Sequence, residues 1–350
     1  MAGQLNLNTT SKRPSIFQNT IDQKKAVLLS FIAFLFTGFQ CAIYGMLTVP
    51  IAKHFHIDSN LVIFYDGFGL WGQILAMATG SFFIYHLKGK NTLLIAASLM
   101  IIGSIISLIS PNIYLYTLMT FLCNMAVGYV LIACNYMIMG TVKKEGESEG
   151  KLSILNVFFS LGFLLSAFVV GNVLYYGNWQ LVFVSVMVLF MLFIFFLLSL
   201  NINEICEKAF LNKKDNRQKN QASHSKWMNF PIILTAISLF CIVYVEQIMN
   251  YFNQPHLHFD LGFNMQSVGT LVGVYTFSQL IGRLILGKFL LPKVKIHRYL
   301  ISASFLFALS LIFYLFMHSF LAVAIIMGIL GLCDSCIYPS ILGLDHSFDH

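Results

Sequence analysis

Apolar stretches of about twenty residues, each long enough to cross the hydrocarbon core of a bilayer, follow one another along this chain. Residues 181–200 carry no charge, and Ser185 and Ser199 are their only polar side chains. Backbone N–H and C=O groups find no water in hydrocarbon, so such a run has to be a helix. The pattern predicts ten spans, at 26–48, 61–84, 92–109, 113–139, 152–174, 179–200, 230–251, 267–289, 299–317 and 320–344. The fold class is therefore all-α, a polytopic membrane protein. Composition excludes the alternative of a water-exposed globule. Charged residues are 10% and hydrophobic ones 58% of the 350, where a soluble domain carries about 25% charged residues.

The basic residues are distributed unevenly. Of the 21 lysines and arginines, 19 fall in the first 25 residues and in the loops that follow spans 2, 4, 6 and 8. Only Lys53 lies in an opposite loop, and Arg283 lies within span 8. The positive-inside rule then puts the N-terminus in the cytoplasm, with a bacterial inner membrane as the expected location. The net charge of +7 is thus a signal of orientation, and nucleic acid is not expected as a partner. Residues 1–25 lack a short apolar core with a cleavage site, so no signal peptide is expected.

Residues 201–229 form the longest polar loop and divide the chain. The expected organisation is a cytoplasmic tail (1–25), a six-helix bundle (26–200), a cytoplasmic linker (201–229), an incomplete second bundle of four helices (230–344) and a short tail (345–350). An internal repeat supports two pseudo-symmetric halves. His54-Phe-His56-Ile-Asp58 follows span 1 and His256-Leu-His258-Phe-Asp260 follows span 7, offset by 202 positions; Gly67 and Gly80 match Gly269 and Gly282 at the same offset. Parallel repeats of this kind occur in secondary transporters.

Polar side chains at membrane depth are costly and tend to face a bundle interior or a watery cavity. Span 1 carries Thr37, Gln40, Tyr44 and Thr48 on one face. Span 2 carries Asp66 and Gln73; span 4, Asn124 and Asn135; span 5, Ser153, Asn156 and Ser160. Span 7 carries Glu246 and Asn250; span 8, Thr276, Gln279 and Arg283; span 10, Asp334 and Ser335. Spans 3, 6 and 9 are bare by comparison, which puts them at the periphery and the other seven around a wet interior. The candidate pathway for a solute and its coupling ion comprises Gln40, Tyr44, Asp66, Gln73, Asn135, Asn156, Glu246, Asn250, Arg283 and Asp334. Arg283 and Asp334 are expected either to pair, since a lone buried charge is costly, or to part, with Arg283 snorkelling to the surface.

No metal site or cofactor is expected. Cys333 and Cys336 have a redox or zinc spacing, but they sit inside a span without a second pair. A phosphate-binding loop is also incomplete, because Phe289 stands where Gly282 to Lys288 would need a Ser or Thr to follow.

The chain resembles the major facilitator superfamily, and within it the TsgA-like and fucose/glucose/galactose:proton symporter branch. The residues that carry the resemblance are Gly38, Gly45 and Pro50 in span 1, Gly128 and Asn135 in span 4, and Asn156, Ser160 and Gly162 in span 5. Tyr244 and Glu246 in span 7, Gly282, Arg283 and Gly287 in span 8, and Tyr338-Pro339-Ser340 in span 10 continue it. The resemblance implies a central cavity with spans 3, 6 and 9 outside. It also implies alternating access, a small polar solute with a sugar as first candidate, coupling to protons, and a role for Glu246 in proton handling. Two departures stand out. Ile84 occupies the place of the family's Asp four residues after Gly80. The family also has twelve helices where this chain has ten, so truncation is expected. Two further readings compete with active transport: a non-transporting remnant, and a polytopic membrane enzyme.

Overall fold

The computed structural model describes residues 20–142, 147–175, 178–202, 253–285, 296–335 and 337, with Ile237, Val245 and Met249 as single positions. Span 7 and the 201–229 linker fall almost wholly outside the described residues. Every described element is helical. Span 1 runs as Thr20–Cys41 and Ile43–Phe55, past the expected end at Thr48, with Pro50 inside the helix. Pro is tolerated in membrane helices because neighbouring helices, side chains and local backbone adjustment re-satisfy the carbonyl it frees. Span 4 is Ile113–Met139, as expected. Spans 5 and 6 are Glu147–Tyr175 and Gln180–Ser199, and spans 8, 9 and 10 are Met265–Ile285, Ile296–Tyr314 and Phe320–Asp334.

Spans 2 and 3 form one hairpin, Ser59–Ile109, without an intervening loop. Gly72 abuts Phe121 and Gly103 abuts Cys123, two neighbouring levels of span 4. A straight helix would hold residues 72 and 103 about 46 Å apart, so the chain must reverse between them. It does so at Lys88, whose φ of 66° and ψ of 172° leave the helical region. Such a conformation is costly for a residue with a Cβ. The adjacent glycine, Gly89, is committed to another role, since a side chain there would run into Met137.

Close helix approach is made with glycine, as is usual where apolar lipid offers no drive for helices to associate. Gly38 of span 1 and Gly162 of span 5 meet each other's helices reciprocally: a Cβ on either would overlap a backbone carbonyl, of Phe159 and of Leu35 respectively. The repeat is visible in these contacts. Gly80 approaches Ile132 and Gly282 approaches Ser335; Gly128 approaches Gln73 and Gly331 approaches Tyr275. The crossing of spans 2 and 4 therefore recurs between spans 8 and 10, shifted by 202 or 203 positions.

The buried apolar side chains form one large cluster within spans 1 to 6 and a second one around Leu271, Tyr275, Val323 and Met327. Ala42, Phe163 and Val272 join the two halves. Span 5 packs against both span 1 and span 8. Spans 6 and 9 turn large apolar side chains outward, Phe195 being 76% and Phe305 69% exposed. Span 2 does so as well on one face, through Phe64, Phe68 and Trp71, although its opposite face buries Asp66.

At one end of the molecule lysines close the helix ends. Lys25 Nζ donates to Asn201 O (3.0 Å) and Lys90 Nζ to Leu200 O (2.5 Å), both at the end of span 6. Lys151 Nζ donates to Thr141 O (2.8 Å) at the end of span 4. Carbonyls at a helix C-terminus lack intrahelical partners and carry negative partial charge, so ammonium groups satisfy them twice over.

The glycine contacts predict a contrast. Gly162→Ala is expected to cost about 1–3 kcal/mol, the scale of overpacking a close contact, and to lower the melting temperature and abundance of the purified protein. Gly67→Ala, where nothing lies within 4 Å of an added Cβ, is expected to leave both unchanged.

Candidate functional site in the membrane interior

Three side chains of the Asp, Glu, Lys and Arg types are buried within the described parts of spans 2, 8 and 10: Asp66, Arg283 and Asp334. Span 8 supplies most of the second group. Tyr275, Gln279 and Arg283 are spaced four apart and so lie on one helical face. Tyr275 OH donates to Asp334 Oδ2 at 2.8 Å, and Gln279 Nε2 donates to the same oxygen. Arg283, 6% exposed, reaches two other helices. Its Nε donates to Ser335 O on span 10 at 3.1 Å. Its Nη1 donates to Asn156 O at 3.1 Å and to Ser160 Oγ, both on span 5. Ser153 Oγ returns a hydrogen bond to Arg283 O at 3.5 Å. One guanidinium thus ties span 8 to a helix of the first half.

Arg283 is buried, so it does not snorkel to the surface. It attracts the Asp334 carboxylate electrostatically, one oxygen of which accepts from both Tyr275 and Gln279. The guanidinium fork meanwhile meets carbonyl and hydroxyl acceptors on two helices at once.

Asp66 belongs to a separate network. Tyr116 OH on span 4 donates to its Oδ1 at 2.8 Å, while its Oδ2 is buried without a hydrogen-bond partner among the described residues. Around Tyr116 stand Phe55 and Trp179, with ring centroids 6.3 and 6.2 Å away. The phenol that holds Asp66 is thus itself set in an aromatic cluster.

Span 1 places Gln40 and Tyr44 together, Gln40 Nε2 donating to Tyr44 OH at 2.9 Å, and both are almost fully buried. Thr37 and Thr48 on the same stripe bond carbonyls of their own helix, Ala33 O and Tyr44 O. Asn124 and Asn156 do likewise with Thr120 O and Leu152 O. These groups answer their own backbone, so part of the expected polar lining is spent within single helices. Gln73 and Asn135 are half-buried on spans 2 and 4. Glu246 and Asn250 lie outside the described residues. Sequence reasoning missed Tyr116 and Tyr275. Tyr275 was within reach, lying on the Gln279–Arg283 face, but fifty residues separate Tyr116 from Asp66 and no local spacing joins them.

The paired His-x-His-x-Asp strings have different partners. His54 packs edge-on against Trp179 at 5.5 Å. His256 Nδ1 pairs with Asp260 Oδ2 at 2.6 Å, and His258 Nδ1 bonds Phe263 O at 2.8 Å. Asp58 caps span 2 through Asn60 N at 2.7 Å, whereas Asn264 caps span 8 through Ser267 N at 2.8 Å. The two copies have diverged in what their residues do.

The sequence profile of the Major Facilitator Superfamily matches residues 28–347. The chain belongs to the major facilitator superfamily. It is a multi-pass membrane transporter of that superfamily, and the reading as a membrane enzyme falls away. Among its relatives in the superfamily is a TsgA homolog from Buchnera aphidicola subsp. Schizaphis graminum, 24% identical over 336 residues, which cover 93% of this chain and 81% of the relative. Among solved structures it is similar to the xylose transporter XylE from E. coli in a partially occluded inward-open conformation. The TM-score is 0.68 at 16% identity, covering 93% of this chain and 87% of the other. It is also similar to the proton:xylose symporter XylE bound to 6-bromo-6-deoxy-D-glucose. There the TM-score is 0.73 at 14% identity, covering 93% and 82%.

The geometry of Arg283 predicts the outcome of a charge swap. Arg283→Ala is expected to cost about 2–4 kcal/mol, because buried acceptors on two helices lose their donor. Combining Arg283→Asp with Asp334→Arg is expected to restore none of it, as read by thermal denaturation in detergent, since the acceptors on span 5 stay unmet.

Proposed function

We propose that this transporter is a secondary active symporter that moves a small polar solute, with a sugar as first candidate, by coupling it to protons through alternating access. The observation that carries the reading is Arg283. Among the described residues it is the one buried lysine or arginine, and it bridges spans 5 and 8. A buried cation is retained against its desolvation cost where it has a task, and a bond between the two halves is what an alternating-access cycle must make and break. Its similarity in fold to a proton:xylose symporter favours the sugar and the proton. In this reading Gln40, Tyr44, Gln73, Asn135, Asn156 and Asn250 face the solute path. Glu246 and Asp66 are carboxyl groups suited to carry a proton, and Arg283 and Asp334 serve the closure.

The decisive experiment is uptake in proteoliposomes with an imposed proton gradient, screened over monosaccharides. Accumulation of one sugar that collapses with a protonophore is expected. Glu246→Gln is expected to remove accumulation while sparing solute exchange, which needs no net proton release. Unchanged accumulation in that variant would remove Glu246 from the mechanism, and no gradient-driven uptake of any sugar would overturn the proposal.

The location proposed is the inner membrane of a bacterium with the N-terminus in the cytoplasm, supported by the placement of 19 of 21 basic residues on one side. An impermeant maleimide added outside intact cells is expected to label a cysteine at exposed Lys53 and not one at Asn216, in a cysteine-free background.

A further inference from the structure

The halves meet along spans 5 and 8 at two levels of unlike chemistry. Ser153, Asn156, Ser160 and Phe163 follow one face of span 5, and Val272, Thr276, Gln279 and Arg283 follow one face of span 8. The two spans run in opposite directions. Arg283 therefore meets Ser153, Asn156 and Ser160 near the lysine-bearing end. Val272 meets Phe163 further along, where Ala42 of span 1 joins them. Phe163 stands about 18 Å before the end of span 5 at Tyr175, and Val272 about 10 Å after the start of span 8 at Met265. This second level is apolar. Ala42, Phe163 and Val272 are each 6% exposed or less, and Cys41 and Phe159 pack against them. The ring of Phe159 lies 6.4 Å from that of Phe163 and meets Phe34 edge-on at 6.3 Å, while the crossing of Gly38 and Gly162 locks span 1 to span 5. The first half thus presents Ala42 and Phe163 on one tightly packed surface, and the second half answers with Val272. The helix of span 1 is interrupted at Ala42 itself. Beyond it, Ile43–Phe55 packs on Asn253–Pro255 of the second half.

We propose that Ala42, Phe163 and Val272 form an apolar gate, the closure of the solute path on the side away from the lysines, with the Arg283 clasp as the closure on the lysine side. The proposal rests on the alternating-access reading and is independent of which solute is carried. An apolar layer suits a seal that must also open. It offers water nothing to bond, so the constriction dries and stops ions and protons with it. Parting it breaks no hydrogen bond, whereas parting the Arg283 level strips a buried cation of its acceptors. The two levels therefore differ in what opens them. The clasp needs new partners for its donors, and the gate needs only a small displacement of Val272 from Phe163 and Ala42. The interruption of span 1 at Ala42 places a change of helix path at the same depth, so the Ile43–Phe55 segment is set to move with the gate.

The test is the rate at which an impermeant maleimide alkylates Cys41, kept as the sole cysteine of the full chain in sealed membrane vesicles. The reagent is added on the side from which a Lys53→Cys variant is labelled, since exposed Lys53 lies at the gate's end of span 1. Slow labelling of the parent is expected. Phe163→Ala and Val272→Ala, truncations on opposite halves, should each raise the rate about tenfold, one decade for every ~1.4 kcal/mol removed from the closed state. Phe195→Ala, on the outward face of span 6, should leave it unchanged. Reagent on the lysine side should label Cys41 at one rate in all four proteins. A version with Cys134 as its sole cysteine, buried within the first half, should stay unlabelled in every background, which separates opening from unfolding. Parental rates in both truncations would overturn the gate. So would an equal rise from both sides, the signature of loosened packing, or labelling of Cys134. Because no solute enters this measurement, a failed sugar screen and a failed gate are told apart.

Discussion

The absence of water from hydrocarbon is the constraint on which this molecule depends. Each backbone group has to be answered by another part of the protein, and side chains with hydrogen-bonding capacity meet the same demand. The response seen here is local wherever it can be. Ser30, Thr37, Ser104, Thr276 and Ser310 each bond a carbonyl four residues back in their own helix. Other described side chains reach across to a second helix, among them Asp66 to Tyr116, Thr79 to Tyr129, Tyr314 to Asn253, Asp334 to Tyr275 and Gln279, and Arg283 to spans 5 and 10. At the helix ends, where four carbonyls lack partners, lysines take over from the helix itself.

The same constraint explains the glycines. Lipid chains are as apolar as leucine, so burial between helices gains little, and association relies on close van der Waals approach. Gly38 against Phe159 and Gly162 against Leu35 bring two backbones into contact on spans 1 and 5. Gly128 on span 4 and Gly331 on span 10 occupy corresponding crossings in the two halves. Duplication has preserved the crossing more faithfully than the polar chemistry around it. Asp66 in the first half has a valine, Val268, at the repeat offset, and Asp334, buried in the second half, sits on span 10.

Much of this was legible in the sequence. Span 4 was placed at 113–139, the bounds observed, because both ends are marked by a loss of apolar periodicity. Span 1, expected to end at Thr48, runs on through Pro50 to Phe55. The spans at 61–84 and 92–109 place a reversal around Lys88, where the chain turns; that one residue with positive φ makes the turn leaves no trace in composition. The burial of Asp66 and Asp334 followed from their position in apolar runs, whereas a long arginine stem left Arg283 the choice of the surface. Their partners did not, because hydrogen bonds between residues 50 or more positions apart, such as Asp66 with Tyr116 and Asp334 with Tyr275, depend on how helices pack and not on spacing along one of them.

The clasp between spans 5 and 8 has a property that follows from its chemistry. Its acceptors on span 5 are a backbone carbonyl and a serine hydroxyl, groups that do not titrate in the physiological range. An arginine is likewise charged at every accessible pH. The junction between the halves is therefore indifferent to acidity at its own contact surface. The Asp334 carboxylate, which Tyr275 and Gln279 hold from two turns and one turn before Arg283 on the same helix, acts on the guanidinium through its charge. The bonds that join spans 5 and 8 are thus made by groups that keep their charge state, beside one that can change its own.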